Sequence, residues 1–514
     1  MRYFLSDNYN KLAIYFSILI LLLLLGISVF HKMGNFAVET DFYWSYAPDA
    51  ERIIHGHNTL EPGVGPVYPL LLGVMNFVFH DYFVTGKILS IISTILAGLF
   101  IFKLIQSLFD GRLAFFTMVL FYATVLPFSI IASTDMFFAG LFAMSLYFFF
   151  RDPYFGNSSM VLSGLFMGVA FLTRHNGVVL PLCVGIILIF INPQSWDWPE
   201  RIRKFALFFS VFFLINLPWD LVQFFATGDT YRSDSYLIIA SNFYGRPGVV
   251  VSEDMRLAAQ KFDSLRSVIF FNFPHFVKHY FSNIYHHFYD FLIESLKFPS
   301  FLFVGGGALL LIPKMNKKQL SLFIFPVLSF LLLCLVHYEP RYYLYLIFFF
   351  VLFVAYFIFG EHFQSNSGNP IVVNYLMPIV FVVTIMFLSV FSTKEIRRNI
   401  SEEPRELLEI SQILKDKISP NQSIIARKPH LGYLTHLKTV YFPESKSVSD
   451  LLNFAKKEKA DYLIYGTEEF KRRPALKDLL EPEKTPAEME AIIVWKNPRT
   501  IIYKFNFSNS INSG

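Results

Sequence analysis

Long apolar runs recur along the 514 residues of the chain, and the first of them, at 12–30, reads LAIYFSILILLLLLGISVF. A transmembrane helix needs about 20 apolar residues, so runs of this kind predict membrane spans. We place eleven spans, near residues 12–30, 83–107, 113–132, 136–150, 160–174, 177–192, 205–226, 299–313, 319–337, 341–359 and 371–392. A further apolar segment, 66–80, is short for a span and is predicted to be re-entrant or interfacial. No small-residue cleavage site follows the first run, which we interpret as a retained helix.

The composition excludes several other classes of protein. Hydrophobic residues make up 54% of the chain and charged residues 16%, whereas soluble domains are about 25% charged. A cytosolic enzyme, a disordered chain and a fibrous protein are therefore excluded. An outer-membrane barrel is excluded as well, because its strands would alternate apolar and polar residues. The predicted fold class is an all-α polytopic membrane protein of about eleven helices with a small C-terminal α/β domain.

Charge predicts the orientation in the bilayer. The net charge of +5 is small and spread along the chain, which argues against a nucleic-acid partner. With a cytoplasmic N-terminus, the inner side holds Arg2, Lys11, Arg112, Arg151 and the basic groups at 201–204 and 314–318, whereas the short outer turns hold few basic residues, as the positive-inside rule requires. The loop at 360–370 has neither Lys nor Arg, so the last hairpin is oriented by alternation alone. The outer side then receives the loops 31–82 and 227–298, the turn at 133–135 and the C-terminal tail.

The apolar runs cease after residue 392, which predicts a transmembrane domain at 1–392 and a second domain at 393–514. The second domain combines helix-like and β-rich stretches and is therefore expected to be α/β and extracytoplasmic. The helix-like stretches are 403–417 and 447–459, and the β-rich runs are 423–426, 462–465 and 492–494.

The outer loop after the first helix holds an acidic pair followed by aromatic residues, ETDFYWSY at 39–46. One interpretation is an interfacial aromatic belt in which Thr40 or Asp41 caps a helix running to about residue 54. The other is that Asp41 is a general base or metal ligand at the bilayer boundary, where partial desolvation suits proton abstraction. Further along, the Gly- and Pro-rich stretch GVGPVYP at 63–69 fixes a loop shape. Tyr43 and Tyr68 are candidate substrate-loop residues.

Two more charged residues interrupt apolar runs on the predicted outer side. Asp135, in ASTDM at 132–136, either caps the next helix or is a second outer carboxylate beside Asp41. Two converging carboxylates in a membrane cavity would suggest acid–base chemistry or a divalent cation. Arg174 is costly at this depth without a partner, so we expect it to pair with Asp135 or to bind an anionic headgroup.

The segment HYEPRYYL at 337–344 is the most informative of the polar segments. Pro340 fits the first position of a helix, whose positive N-terminal end would face the outer surface. A helix N-terminus beside Arg341 suits a phosphate. The alternative is that Arg341 pairs with Glu339 or with lipid headgroups.

Other polar residues give weaker indications of chemistry. The only cysteines, Cys183 and Cys334, lie in apolar stretches and cannot build a disulfide framework or a thiolate metal site. The loop 227–298 contains Tyr231, Arg232, His279, His286 and His287. Its histidines are either metal ligands or solvated interfacial side chains. No cofactor is therefore certain, and a divalent metal remains open.

Taken together and in order, these segments resemble the GT-C superfamily of membrane glycosyltransferases. The likeness is to the branch of glycosyltransferase family 39, which includes the protein O-mannosyltransferases and the lipid A aminoarabinose transferases, and it covers most of residues 10–350. The segments that carry it are Asp41, PVYP at 66–69, Asp135, RHNG at 174–177 and PRY at 340–342.

The resemblance implies transfer of a sugar from a polyprenyl phosphate to an acceptor on the outer face, with inversion at the anomeric carbon. Asp41 would be the catalytic base, and Asp135 would orient a partner of Asp41 or help to bind a cation. The residues that would bind the phosphate and the donor are Arg174, His337, Arg341 and Tyr342. The expected location is a bacterial inner membrane.

The chain departs from the family pattern at two places, and both leave the acceptor open as a lipid, a glycan or a protein. Phe42 follows Asp41 where many protein mannosyltransferases have Asp-Glu, and Gly65-Pro66-Val67 stands where many members have His-Pro-Pro. The C-terminal domain also differs from the β-trefoil insert of the eukaryotic enzymes.

Three other functions are compatible with such a chain. A polysaccharide polymerase or ligase would also use lipid-linked sugars on the outer face. A lipid-linked substrate transporter or flippase would need charges near the bilayer midplane and usually two related halves, and the sequence shows few of the former and no evident symmetry. A non-catalytic assembly factor would most simply lack the carboxylates, and both are present.

Overall fold

The computed structural model describes residues 2–56, 65–151, 156–228, 235–246, 251–360, 375–419 and 421–507. Gly63 and Val64 of the Gly- and Pro-rich loop, Tyr231, Arg232 and residues 361–370 lie outside these ranges. The chain forms two compact units. Unit 1 comprises Met1–Phe30 and Arg52–Arg398, and unit 2 comprises His31–Glu51 and Asn399–Gly514.

In the described residues of unit 1, the regular secondary structure is helical throughout. Its helices and those at its borders are α1 (Arg2–Ser28), α2 (Ala47–Ile54), α3 (Val67–Phe79), α4 (Tyr82–Leu108), α5 (Gly111–Val125), α6 (Asp135–Arg151), α7 (Asn157–Phe171), α8 (Val179–Ile186), α9 (Trp198–Thr227), α10 (Ser235–Tyr244), α11 (Val251–Ala259), α12 (Leu265–Phe271), α13 (Phe273–Asp290), α14 (Ser300–Leu311), α15 (Lys317–Leu322), α16 (Ile324–Leu333), α17 (Ile347–Phe359) and α18 (Met377–Ser401).

The predicted fold class is confirmed, but the predicted number of eleven spans is not. Every predicted span contains helix. Within the described residues, however, only six helices are long and apolar enough to cross a membrane. A seventh span is possible if Phe273–Leu296 and Ser300–Lys314, which meet at a bend of 113°, count as one. The short apolar helices Asn157–Phe171 and Val179–Ile191, which were predicted as spans, account for part of the difference. With these spans the protein is an integral membrane protein.

Aspartates fix the starts of several long helices. Asp81, Asp110 and Asp197 each accept a hydrogen bond from the backbone N–H three residues later, at 2.9, 2.8 and 3.1 Å. These N-caps satisfy backbone donors that a helix start leaves unpaired. The core of unit 1 lies where α4, α5, α6 and α17 pack together, and it is rich in phenylalanine, as at Phe142, which is fully buried.

Unit 2 contains a five-stranded sheet covered by helices. Its strands are β1 (Ser423–Ala426), β2 (Lys438–Tyr441), β3 (Tyr462–Gly466), β4 (Met489–Lys496) and β5 (Arg499–Phe505), and its helices are α19 (Glu406–Lys415), α20 (His430–Thr435), α21 (Val448–Glu458) and α22 (Thr467–Arg472). The sheet order is β2-β1-β3-β5-β4, parallel among the first three strands and antiparallel for the rest. Both predicted helical stretches and all three predicted β-rich runs lie in these elements.

Unit 2 also includes a segment that the sequence analysis placed in the transmembrane domain. His31–Glu51, which follows the first helix and carries Asp41, belongs to the same compact unit as the sheet. The domain boundary at 392/393 therefore remains a prediction, and it concerns only the C-terminal part of unit 2.

Candidate active site

In unit 1, a buried ion pair joins two of the predicted site residues. Asp135 is the first residue of α6, where a negative charge is favoured by the helix dipole, and its side chain is 2% exposed. Its carboxylate Oδ1 accepts a hydrogen bond from Nη1 of Arg174, which follows α7. Arg174 also donates to Thr134 Oγ1 at 3.5 Å. Arg174 is therefore paired with Asp135, one of the two partners that the sequence predicts for it.

The Tyr342 ring lies against both predicted arginines. The Arg174 guanidinium carbon is 5.3 Å from the ring centroid, and that of Arg341 is 5.4 Å away. Both distances allow cation–π attraction. The ring of His337 also meets Tyr342, with the centroids 5.9 Å apart. All four predicted donor-binding residues are thus brought together.

Glu339 completes this group of side chains. Its Oε2 lies 3.5 Å from Nε of Arg341, and its Oε1 lies 3.8 Å from Nε2 of His337. We call Asp135, Arg174, Glu339, Arg341 and Tyr342 the arginine cluster. Because the Glu339 side chain is 38% exposed and the distance to Arg341 is long, this contact is much weaker than the buried contact of Asp135 with Arg174.

Pro340 begins the helix that carries the cluster, as the sequence predicts. Pro340–Leu346 forms a 3₁₀ turn that continues directly into α17, and Glu339 before it is extended. Proline suits this position because its missing N–H would be unpaired at a helix start in any case. Arg341 therefore projects from the first turn and keeps a largely buried side chain, 13% exposed.

The Gly- and Pro-rich loop packs beside the same cluster. The backbone of Gly65 lies so close to Leu172 that a Cβ would be 1.9 Å from the Leu172 carbonyl oxygen, so only glycine fits. Tyr68, the second residue of α3, is fully buried, with its ring 6.0 Å from that of Phe137 on α6. The loop therefore supports the segments that hold Arg174 and Asp135.

In unit 2, Asp41 is exposed and sits in a helical segment. The Asp41 side chain makes no capping hydrogen bond, and the hydroxyl of Thr40 donates to the Phe36 carbonyl at 2.9 Å. The predicted capping role of Asp41 is therefore wrong. A short π-helical turn, Phe42–Tyr46, follows Asp41 and leads into α2.

The residues around Asp41 are held by the C-terminal part of unit 2. Thr40 accepts a hydrogen bond from Nζ of Lys428 at 2.8 Å, and the ring of Trp44 stacks on Tyr441 with the centroids 4.5 Å apart. Tyr43 is buried, its ring 4.4 Å from that of His430. Tyr43, a predicted substrate-loop residue, is thus part of the packing that fixes the backbone next to Asp41.

A buried histidine fastens the start of the same segment. Nδ1 of His31 lies 2.6 Å from Glu403, and its Nε2 lies 3.1 Å from both carboxylate oxygens of Glu39. Burial lowers the pKa of His31, but the two carboxylates outweigh it and raise the pKa to about 9. Burial raises the pKa of Glu403, but the hydrogen bonds from His31 and Arg405 outweigh this effect. The pKa of Glu403 therefore lies below its usual value. His31 is therefore a cation at neutral pH.

His430 has the opposite electrostatic setting. It is fully buried between aromatic rings, with Phe36 at 4.8 Å in addition to Tyr43. Burial, and then the nearby charge of Lys428, lower the pKa of His430 to about 3. His430 is thus a neutral packing residue, whereas His31 is a charged one.

The described side chains that could ligate a metal ion do not support a metal site. Within the described residues, no three His, Cys, Asp or Glu side chains are grouped so that they could hold a metal. His287, one of the loop histidines, is buried and lies 2.7 Å from the hydroxyl of Tyr343 through Nδ1.

Part of the chain matches a known family. Residues 62–219 match the family described as dolichyl-phosphate-mannose-protein mannosyltransferase. That stretch contains Tyr68, Asp135 and Arg174, and it ends before Arg341. No curated protein matches the chain in sequence.

Solved structures match nearly the whole chain. ArnT from Cupriavidus metallidurans bound to undecaprenyl phosphate is 14% identical, with a TM-score of 0.60 over 96% of this chain and 98% of that one. The oligosaccharyltransferase AglB from Archaeoglobus fulgidus, in complex with an inhibitory peptide and a dolichol-phosphate, is 14% identical, with a TM-score of 0.56 over 88% of this chain and 70% of that one. This chain has a GT-C fold.

The GT-C fold confirms the resemblance seen in the sequence. Sequence reasoning found the residues of the arginine cluster but gave Glu339 only as an alternative partner for Arg341. It missed the contacts that hold Asp41, because Glu403, Lys428 and His430 are more than 350 positions away from it. The one available signal was the acidic Glu39 beside Asp41, which the structure places against His31.

Proposed function

We propose that this protein is a glycosyltransferase that moves a sugar from a polyprenyl phosphate to an acceptor on the outer face of the membrane. The observation that carries the proposal is the GT-C fold over almost the whole chain, shared with a protein solved with undecaprenyl phosphate. The family match over 62–219 supports the same chemistry.

The arginine cluster is suited to bind the donor phosphate. Arg174 is fixed by Asp135 and can still offer guanidinium donors, since it has more N–H groups than one carboxylate accepts. Arg341 lies 3.5 Å from the partly exposed carboxylate of Glu339. A phosphate can replace Glu339 there, because arginine binds phosphate through two parallel charge-assisted bonds. His337 and Tyr342 would complete the wall of this site.

Asp41 is our candidate for the general base. Its carboxylate would take the proton of the acceptor hydroxyl as that oxygen bonds to the anomeric carbon. The bond from the anomeric carbon to the phosphate oxygen breaks, and the polyprenyl phosphate leaves with the electron pair. This single displacement inverts the anomeric carbon. Asp135 would act by holding Arg174, not as a base, because its carboxylate is buried in an ion pair.

The proposed setting is a bacterial inner membrane, with the N-terminus cytoplasmic and the C-terminal domain extracytoplasmic. An oligosaccharyltransferase from Archaeoglobus fulgidus has been solved with an acceptor peptide tethered to it, but Phe42 after Asp41 gives no reason to prefer a protein acceptor here. We therefore leave the acceptor as a lipid, a glycan or a protein.

Membranes containing the protein should consume one donor from a panel of radiolabelled polyprenyl-phosphate sugars. Arg341→Lys keeps the charge but loses the paired geometry, so it should raise the apparent KM for that donor about three- to tenfold. Arg203→Lys, at an exposed ion pair on α9, is the matched control and should leave KM unchanged. Transfer of long chains would indicate a polymerase or ligase, and movement of donor without transfer would indicate a transporter.

A further inference from the structure

An apolar groove of about 580 Å³ lies in unit 1, and none of its lining residues belongs to the arginine cluster. It is formed by the end of α7, by α8 with the turn that follows it, and by α9. Its rim is open, since Leu182, Phe190 and Phe213 are 58%, 79% and 59% exposed. Its lining residues include Phe209, Phe212, Asn216 and Asp220.

Two polar side chains face this otherwise apolar groove, and both belong to α9. Asn216 and Asp220 are four residues apart, so they lie on one face of the helix. Asn216 is 2% exposed and donates through Nδ2 to the Phe212 carbonyl at 2.7 Å. Its Oδ1 is buried and accepts no hydrogen bond from the described residues.

Asp220 lines the same groove, and within the described part of the chain it forms no ion pair. Asp220 lies inside the membrane-spanning helix Trp198–Ala226. An acidic side chain at such a position is costly and usually has a partner. A buried carbonyl oxygen without a donor is costly as well. The groove thus offers two acceptors and lacks a donor.

The charge in the groove selects its occupant. A phosphate without an accompanying positive group would be repelled by Asp220, so the groove does not suit the phosphate end of a polyprenyl donor. A primary ammonium group supplies a positive charge and three donors, enough for both acceptors. The aromatic and aliphatic walls, open at the side, suit acyl chains.

We propose that this groove binds a phospholipid with a primary ammonium headgroup, which donates to Asp220 and Asn216 while its acyl chains lie along α8 and α9. The site is separate from the arginine cluster, and its occupation does not depend on sugar transfer.

The test is lipid binding to the purified full chain in detergent, followed by native mass spectrometry. Phosphatidylethanolamine should bind about tenfold more tightly than phosphatidylcholine, whose quaternary ammonium has no N–H donor, and more tightly than the anionic phosphatidylglycerol. Asp220→Asn should remove this preference. Glu200→Gln, on the same helix but already paired with Arg203 outside the groove, should keep it.

Equal binding of the three lipids by the wild-type protein would overturn the proposal and leave an apolar groove without headgroup selection. A preference for phosphatidylglycerol would overturn it as well, since it would require a positive site. Should Asp220→Asn fail to fold, Asn216→Leu removes the second acceptor and should weaken phosphatidylethanolamine binding alone. The order in which the wild-type protein binds the three lipids tests the proposal without any variant.

Discussion

Asp41 and Asp135 were predicted as a pair of outer carboxylates, yet their surroundings differ in every respect. Asp135 is buried at the start of α6 and is bonded to Arg174. Asp41 is exposed, in a segment whose neighbours are fixed by the sheet-containing part of unit 2. One carboxylate is committed to an ion pair, and the other is presented to solvent on a supported backbone.

The difference assigns different work to the two residues. A general base must reach the hydroxyl that it deprotonates and must be able to accept its proton. A carboxylate already neutralised by an arginine is poorly suited to that task and well suited to orient the arginine. We therefore expect changes at Asp41 to affect catalysis and changes at Asp135 to affect stability first.

The largest effect should come from Asp41→Asn. If Asp41 is the base, the variant should lose about 10²- to 10⁴-fold in transfer rate, while its thermal unfolding in detergent stays unchanged because the side chain is exposed. The measurement is donor consumption in membranes at matched protein levels.

Asp416→Asn provides the control for Asp41, because it removes an exposed carboxylate of unit 2 away from this segment. It should retain full activity. Intact transfer by Asp41→Asn in a folded protein would show that another group removes the proton, and it would end the distinction between the two carboxylates.

Asp135→Ala should act mainly on stability. Removing one partner of a buried ion pair leaves the other charge uncompensated and costs about 3–5 kcal/mol in the free energy of unfolding. The double variant Asp135→Ala/Arg174→Leu should recover part of that loss, because no buried charge remains. Equilibrium unfolding in mixed micelles measures both.

A matched comparison for this pair is the exposed ion pair of Glu200 with Arg203 on α9. Glu200→Ala should change the free energy of unfolding little. If Asp135→Ala were equally mild, or if the double variant were no more stable than the single one, the two charges would not be coupled as the geometry indicates.

The sequence predicted the two regions unequally well, for a physical reason. In unit 1, each site residue interrupts an apolar run, and a charge in an apolar run needs a partner. The pairing of Arg174 with Asp135 could therefore be anticipated. The number of spans could not, because a short apolar helix such as α7 has the composition of a span without its length.

In unit 2, local pattern predicted the strands Ser423–Ala426 and Tyr462–Gly466 but gave no sign of what they support. The contacts of His31 with Glu403 and of Thr40 with Lys428 join residues more than 370 positions apart. Such pairings depend on the tertiary fold and leave no periodic trace in the sequence. The contacts that hold the segment around Asp41 were consequently found only in the structure.

The pH dependence of unit 2 sharpens the comparison further, because its charged histidine has no counterpart at the Asp135 pair. His31 has a pKa of about 9 in the folded protein and about 6.5 when unfolded. Its protonation stabilises the fold fully below pH 6.5, and this contribution, up to about 3 kcal/mol, is lost as the pH rises through 9.

The wild-type advantage over His31→Gln in thermal stability should therefore shrink between pH 6.5 and 9.5. His286→Gln, which replaces an exposed histidine, should have the thermal stability of the wild-type protein over this whole pH range. Because His31 fastens the segment that carries Asp41, transfer activity should fall over the same range in the wild-type protein, whereas Asp135→Ala should show its stability loss at both ends of it. A difference between wild type and His31→Gln that did not change with pH would mean that the histidine holds Glu39 and Glu403 as a neutral ring, and that the Asp41 segment is held by packing alone.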